Sequence, residues 1–98
     1  MTRAVIIRPA AERDIREAHR WYLEISPRFS EQFTVEVERA ITAASENPLA
    51  FQVFHRSLRR VLLRRFPFAV FFVAEESRVV IVGVLHQSRD PRIAQRRR

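Results

Sequence analysis

The spacing of apolar residues changes at Pro48, and this change constrains the fold more than any other feature. Before Pro48, apolar side chains recur every three or four residues, which predicts two amphipathic helices beginning near Pro9 and Pro27. The break at Ser26 and Pro27 supplies an N-cap and a first-turn proline, so the helices should form an antiparallel hairpin. One stripe comprises Ala11, Ile15, Ala18, Tyr22 and Ile25, and the other Phe29, Phe33, Val37, Ala40, Ile41 and Ala44.

Short apolar runs rich in β-branched and aromatic residues predict strands on both sides of these helices. The predicted strands are residues 3–8, 51–55, 59–65, 68–74 and 78–86. Proline cannot donate to a sheet ladder, so Pro67 should mark a strand boundary. The pattern predicts an α+β fold in which an N-terminal strand and a two-helix hairpin pack on a small antiparallel β-sheet. Residues 1–98 should form a single domain with a basic tail at 89–98.

The last two predicted strands are apolar on both faces, although a helix hairpin can cover only one face. In 68–74, Phe68, Val70 and Phe72 share one face, and Ala69, Phe71 and Val73 share the other. In 78–86, Val79, Ile81 and Leu85 share a face opposite to Val80, Val82 and Val84. We therefore expect a partner segment on the second face. The alternative is that the tail and the 49–57 loop cover it.

Positive charge is concentrated in the second half of the chain. All 18 basic residues are arginine, and the net charge of +7 arises because residues 49–98 hold eleven arginines against three acids. Such a face suits an acidic protein or a nucleic acid, although a solvated, arginine-biased surface gives the same counts. The absence of cysteine excludes disulfides and thiolate sites and fits a reducing cytoplasm. No membrane span and no secretory signal are expected.

Four segments of the sequence carry a resemblance to a known family: "RPAAERDIREAHRWYLEISPRFSEQF", "NPLAF", "RRVLLRRFPFAVFF" and "VLHQSRDP". Over about residues 5–92 the chain resembles the RelE/ParE superfamily, toxins of bacterial type II toxin–antitoxin pairs, and is most similar to its ParE-like branch. The resemblance implies the same helix hairpin on an antiparallel sheet. It also implies a toxin that inhibits DNA gyrase, contributes to plasmid stabilisation and is neutralised by a cognate antitoxin.

The RelE-like branch of the superfamily implies a different activity, the ribosome-dependent cleavage of mRNA. The positions of its nuclease side chains fall here on Arg60, Leu62, Ala69, Gln87 and Ile93. Of these only Arg60 carries charge, so the resemblance favours a toxin that is not an enzyme. The alternative is an endonuclease in which His86 acts as the base and Arg60 and Arg89 hold phosphate. Otherwise, His86 is a strand-end histidine at the rim of the sheet.

The resemblance and the charge pattern together predict two binding surfaces, without cofactors. With no ligand spacing among His19, His55 and His86, no metal site is expected. The surface that binds gyrase is predicted to use Arg60, Arg64, His86 and Arg89. An acidic, amphipathic antitoxin segment should fill an apolar groove rimmed by arginines, at Leu62, Phe71, Val73, Val82, Arg59 and Arg65. The result is a toxin–antitoxin hetero-oligomer that contacts DNA only through the antitoxin.

Overall fold

The computed structural model describes residues 2–89 and 92–97, so Asp90, Pro91 and Arg98 of the predicted tail lie outside the described residues. The helices and strands in chain order are β1 (Ala4–Ile7), α1 (Pro9–Ile25), α2 (Pro27–Glu46), β2 (Val53–His55), β3 (Leu58–Leu62), β4 (Phe68–Ala74), β5 (Arg78–His86) and α3 (Arg92–Arg96). A 3₁₀ turn at Pro48–Ala50 joins α2 to β2. This arrangement confirms the predicted α+β fold.

The sheet is mixed, whereas the sequence predicted an antiparallel sheet. Its strand order is β1-β5-β4-β3-β2. Strands β2 to β5 are antiparallel neighbours, whereas β1 runs parallel to β5, with Ala4 opposite Arg78 and Ile7 opposite Ile81. The parallel pair arises because the chain reverses direction an even number of times between β1 and β5.

A single serine separates the two long helices, as the sequence predicts. Ser26 has an extended backbone, its N–H donates to the carbonyl of Tyr22 at the end of α1, and its side chain accepts from the N–H of Arg28 at 3.2 Å. Pro27 then occupies the first turn of α2, where its missing N–H costs no hydrogen bond. The chain turns back at once, so both helices lie on the same side of the sheet. The predicted stripes do not extend to the turn, because Ile25 and Phe29 are 53% and 43% exposed.

The first apolar cluster lies between the helix hairpin and the sheet. Its members come from α1, α2 and one face of β3, β4 and β5, with Phe33 and Phe72 among the largest fully buried side chains. Tyr22 packs here against Phe33 and Phe66, with ring centroids 5.3 and 4.9 Å apart. Burial raises the pKa of the Tyr22 hydroxyl above its ordinary value. Tyr22 is therefore a core residue.

A second apolar cluster lies on the opposite face of the sheet, and the chain itself covers much of it. The cluster comprises Leu58, Ala69, Phe71, Val80, Val82, Leu85 and Ala94, with Phe54, Val73 and Ile93 packed at its border. Ala94, in α3, is 0% exposed. In the chain alone, the tail lies on this face, where a partner segment was expected. The tail alternative is right, because α3 carries two apolar side chains, Ile93 and Ala94.

A β-bulge in β5 changes which face its last residues occupy. Phe71 lies opposite Gly83 and Phe72 opposite Ile81, so Val82 is left without a partner in the register. The extra residue exchanges the faces of the two residues that follow. Val84 therefore packs in the first cluster and Leu85 in the second. The regular alternation used in the sequence analysis assigned these two residues the other way round.

Candidate functional site

The neighbouring arginines of β3 lie on opposite faces of the sheet. Arg59 is opposite Phe72, a residue of the first cluster, and its Nη1 donates to the carbonyl of Phe51 at 2.6 Å. Arg60 is on the second face, where its guanidinium carbon lies 4.0 Å from the centroid of the Phe54 ring. Strand geometry requires this alternation. Arg60 can therefore meet a ligand on the second face, whereas Arg59 cannot.

Arg64 and Arg65 follow β3 instead of extending it, because the strand ends at Leu62. The N–H of Arg64 donates to Oε1 of Glu36 at 2.9 Å, which holds this loop against α2. That hydrogen bond keeps the pKa of Glu36 below its ordinary value. Arg65 lines a shallow pocket of about 370 Å³ on α2 with Glu36 and three neighbouring residues. The predicted arginine rim around the second face is therefore not formed.

The apolar residues predicted to bind an antitoxin differ in accessibility. Leu62 is 46% exposed, and Val73 is half-buried at the border of the second cluster. In contrast, Phe71 and Val82 are 4% and 0% exposed. Because Ala94 of α3 is buried in the same cluster, a partner can reach Phe71 and Val82 only after α3 moves. The accessible part of the second face is thus its β3 side, around Leu62 and Arg60.

His86 ends β5 on the helix side of the sheet. Its register partner Phe68 packs against the first cluster, and the two rings lie 5.4 Å apart. Nδ1 of His86 accepts from the N–H of Ser88 at 3.1 Å and lies 2.8 Å from the Ser88 hydroxyl. His86 and Arg89 share a pocket of about 220 Å³ with Asp14 and Glu17 of α1. His86 therefore lies beside Arg89 and two carboxylates.

The residues of the endonuclease alternative do not converge. His86 and Arg89 line one pocket, whereas Arg60 stacks on Phe54 across the sheet. At the other positions that the RelE-like branch uses, Leu62 and buried Ala69 have no side-chain donor, and Ile93 packs against the second cluster. A base and a phosphate-binding β3 arginine thus lie on opposite faces.

Asp14 was not predicted from the sequence, although its bond with Arg97 spans more of the chain than any other side-chain hydrogen bond of the described residues. Strand β1 ends opposite Ile81, so the next residues of β5 have a free edge. Oδ2 of Asp14 accepts from the N–H of Val84 at 3.0 Å on this edge, and both its oxygens accept from the guanidinium of Arg97. These partners are 70 and 83 positions away, so no local pattern shows the contact. One signal was present: Gly83, the chain's one glycine, interrupts a run of valines.

The described residues hold neither a set of grouped metal ligands nor a helix able to cross a membrane. Across residues 2–89 and 92–97, no three His, Cys, Asp or Glu side chains are grouped closely enough to hold a metal ion. Within the same ranges, none of the helices combines the length and the apolar content that crossing a bilayer requires.

Comparisons with known proteins place the chain among toxin–antitoxin systems. The model of a family described as "ParE toxin of type II toxin-antitoxin system, parDE" matches residues 5–91. A solved structure of the chromosomal ParDE TA system from P. aeruginosa is similar with a TM-score of 0.75 and 13% identity, covering 87% of this chain and 96% of that one. The toxin–antitoxin complex RelBE2 from Mycobacterium tuberculosis has a TM-score of 0.60 and 22% identity, covering 88% and 99%. At these identities the two structures establish a shared fold. No curated protein sequence matches.

Proposed function

Because the chain belongs to the family of ParE toxins of type II toxin–antitoxin systems, we propose that it inhibits DNA gyrase by binding and that a cognate antitoxin neutralises it. The observation that carries the proposal is the family match over residues 5–91. The proposed action takes place in the cytoplasm, where gyrase and antitoxin are present. It requires a binding surface and neither a cofactor nor a metal.

The positions of the basic residues support inhibition by binding over RNA cleavage. Cleavage would require a base and a cation that stabilises the pentavalent phosphate within one site. Arg60 lies on the opposite face of the sheet from His86, and Ala69 is buried without a polar group. Of the two arginines that the endonuclease alternative names, Arg89 alone shares a pocket with His86.

We place the gyrase-binding surface at the end of β5, where His86 and Arg89 are both exposed and share a pocket. Arg60 and Arg64 lie elsewhere, on the second face and in the loop beside α2. They contribute only if gyrase contacts more than one side of the toxin. His86 and Arg89 are therefore the first residues to test.

The antitoxin is proposed to supply an acidic, amphipathic segment that binds the second face. Leu62 and Val73 offer it apolar contact, and the charge of Arg60 beside them suits an acidic residue. Phe71 and Val82 become part of this surface only when α3 moves away from the sheet. Arg59 and Arg65 lie towards the hairpin, so the segment reaches them only by continuing around β2 or the end of β3. The resulting hetero-oligomer would contact DNA through its antitoxin.

The experiment compares purified toxin in a gyrase supercoiling assay and in a ribosome-dependent mRNA cleavage assay. We expect loss of supercoiling activity and intact message. The double variant His86→Gln, Arg89→Gln should weaken inhibition at least about tenfold if both residues contact gyrase. The control Arg28→Gln removes an exposed arginine at the start of α2 and should leave inhibition unchanged.

Cleaved message with normal supercoiling would overturn the proposal and support the endonuclease alternative. Inhibition that resists the double variant but fails with Arg60→Gln would move the gyrase surface to the second face. Addition of the protein encoded by the neighbouring reading frame should restore supercoiling, because antitoxin and toxin of such pairs are made together. A neighbour that neither binds nor restores activity would remove the antitoxin part of the proposal.

A further inference from the structure

The second apolar cluster is covered by a short helix whose stability depends on tertiary contacts. α3 spans five residues, too few for a helix that is stable without tertiary contacts. Its packing on the sheet is made by Ala94, fully buried, and Ile93, half-buried at the cluster border. Beneath it lie well-buried side chains of β4 and β5, including Phe71 and Val82. What keeps α3 in place must therefore include contacts beyond these two residues.

Arg97, directly after α3, provides such a contact. Its guanidinium donates to both carboxylate oxygens of Asp14 in α1, and the two side chains are 25% and 10% exposed. A two-pronged, largely shielded pair of this kind is stronger than an ordinary surface ion pair. The bond joins the tail to the helix hairpin, which belongs to the other side of the sheet.

Gly83 leaves the space that this bond occupies. A Cβ built on Gly83 would lie 3.0 Å from Nη1 of Arg97 and 3.3 Å from Oδ2 of Asp14. Any side chain here would force the ion pair to shift. Asp14 is held independently, because its Oδ2 also accepts from the N–H of Val84. Three distant parts of the chain thus meet at one point on the edge of β5.

We propose that α3 is a latch over the second apolar cluster, closed by the Asp14–Arg97 ion pair and able to open while the rest of the fold stays intact. Opening breaks the Asp14–Arg97 ion pair and exposes Ala94 and Ile93, but it leaves the sheet ladder and the first cluster untouched. The first cluster is covered by the 17 and 20 residues of α1 and α2, so it opens only on global unfolding. The two faces of the sheet should therefore become accessible to solvent at different rates.

The absence of cysteine from the sequence makes this difference measurable. Val82→Cys places a thiol beneath α3, and Val70→Cys places one in the first cluster on the other face; both positions are 0% exposed. Labelling by a thiol reagent under native conditions then reports how often each face opens. We expect the thiol at 82 to react at least about tenfold faster than that at 70, because local opening is less costly than global unfolding.

The latch itself is tested by adding Arg97→Gln to each thiol variant. Labelling at 82 should accelerate about fivefold, the size expected from an ion pair of this exposure, and labelling at 70 should change less than twofold. The control Arg96→Gln removes the same charge one residue earlier, where Nε bonds to the carbonyl of Arg92 within α3. It should leave both rates unchanged.

Salt provides a second test that needs no loss of folding. Raising the KCl concentration should accelerate labelling at 82 in the Val82→Cys chain and have a smaller effect once Arg97→Gln is added to it. Equal acceleration at 70 and 82 would overturn the latch, because it would show general destabilisation. Equal effects of Arg96→Gln and Arg97→Gln, or no effect of either, would overturn it as well.

The consequence for partner binding rests on the proposed function. With the latch open, Phe71 and Val82 become available to the apolar side of an antitoxin segment, so Arg97→Gln should speed antitoxin association. The labelling experiments use the toxin alone. A failure of the latch would therefore appear there, whereas a failure of the proposed function would appear only in the gyrase and antitoxin assays.

Discussion

The two faces of the sheet differ in what covers them. On the first face, α1 and α2 enclose a cluster that includes Phe33, Phe72 and Tyr22. On the second face, Ile93 and Ala94 of the short helix α3 and the ring of Phe54 pack on a cluster made by the same strands. The first face therefore carries most of the folding free energy, because buried apolar area is the main favourable term. The second face is equally apolar along β4 and β5 but is covered by elements that can be exchanged.

If the latch opens as proposed, one small sheet serves both stability and binding. An apolar face that is permanently sealed cannot bind, and one that is left open favours aggregation. A short internal cover lies between these extremes. Chemically equal substitutions on the two faces should therefore lower the free energy of unfolding by unequal amounts.

The largest difference is expected between two fully buried alanines of helices, Ala40 in α2 and Ala94 in α3. Ala40→Arg should lower the free energy of unfolding by at least about 4 kcal/mol, because the charge would be buried under a helix that cannot leave. Ala94→Arg should cost about 1 kcal/mol, since α3 can swing out and hydrate the arginine. Urea denaturation followed by circular dichroism measures both. Equal losses would show that α3 is as firmly held as α2.

Adjacent phenylalanines of β4 give the next comparison. Phe72→Ala empties the centre of the first cluster and should cost about 4 kcal/mol. Phe71→Ala opens a cavity under α3, which can partly collapse, so we expect a cost of about 2 kcal/mol. Urea denaturation followed by circular dichroism measures both losses. Phe71→Ala should also speed thiol labelling at position 82 when it is combined with Val82→Cys. A larger loss for Phe71 than for Phe72 would reverse the ranking of the two faces.

Glu36 offers a smaller effect that depends on pH. Its bond from the N–H of Arg64 lowers its pKa in the folded state, so it stabilises the fold above its ordinary pKa. This stabilisation is lost as the pH falls through the lowered pKa. Glu36→Gln should cost about 1 kcal/mol at neutral pH, and the difference from the parent should shrink in acid. The control Glu38→Gln changes an exposed carboxylate of the same helix.

Unfolding curves measured from neutral pH down to about pH 3, where ordinary carboxylates are protonated, check the Glu36 prediction. A difference that grew in acid would contradict the sign of the pKa shift. The loop that Glu36 holds connects β3 to β4 on the first-face side, so thiol labelling at position 82 should respond less than it does to Arg97→Gln.

The smallest effect is expected at Arg60, which stacks on Phe54 at the border of the second cluster. Arg60→Gln should lower stability by about 0.5 kcal/mol, the value of a solvent-accessible cation–π contact. Its effect on antitoxin binding should exceed its effect on folding, if an acidic residue pairs with Arg60. Calorimetric titration with the antitoxin segment separates the two quantities. If Arg60→Gln lowers stability without weakening antitoxin binding, Arg60 only helps to cover the second cluster.

Local patterns in the sequence were sufficient for most elements of the fold. The apolar stripes and the Ser26–Pro27 break predicted both long helices, and β4 and β5 have the predicted bounds. Pro67 marks a strand boundary as expected, because β4 begins at Phe68, whereas β3 ends earlier than predicted, at Leu62. These features depend on neighbours within a few positions, where propensity and periodicity are informative.

Features that depend on distant residues were not predictable in the same way. The bulge at Val82 exchanged the faces of Val84 and Leu85, since one extra residue reverses a two-residue period. The Asp14–Arg97 pair joins opposite ends of the chain, and its only local trace is Gly83. The predicted arginine rim is not formed, because Arg64 and Arg65 lie in the loop after β3, which ends at Leu62, and Arg59 alternates with Arg60 onto the first face.

The pairing of β1 with β5 has a consequence for how the protein acquires its fold during synthesis. β1 is made first, yet its hydrogen-bonding partner is the last strand of the sheet. Contacts between such distant residues form slowly, because a long loop must close before they can contribute. The growing chain therefore carries an unpaired first strand and an incomplete core until β5 has been translated. A chain built in this way can present the folded surfaces described above only once β5 has been made.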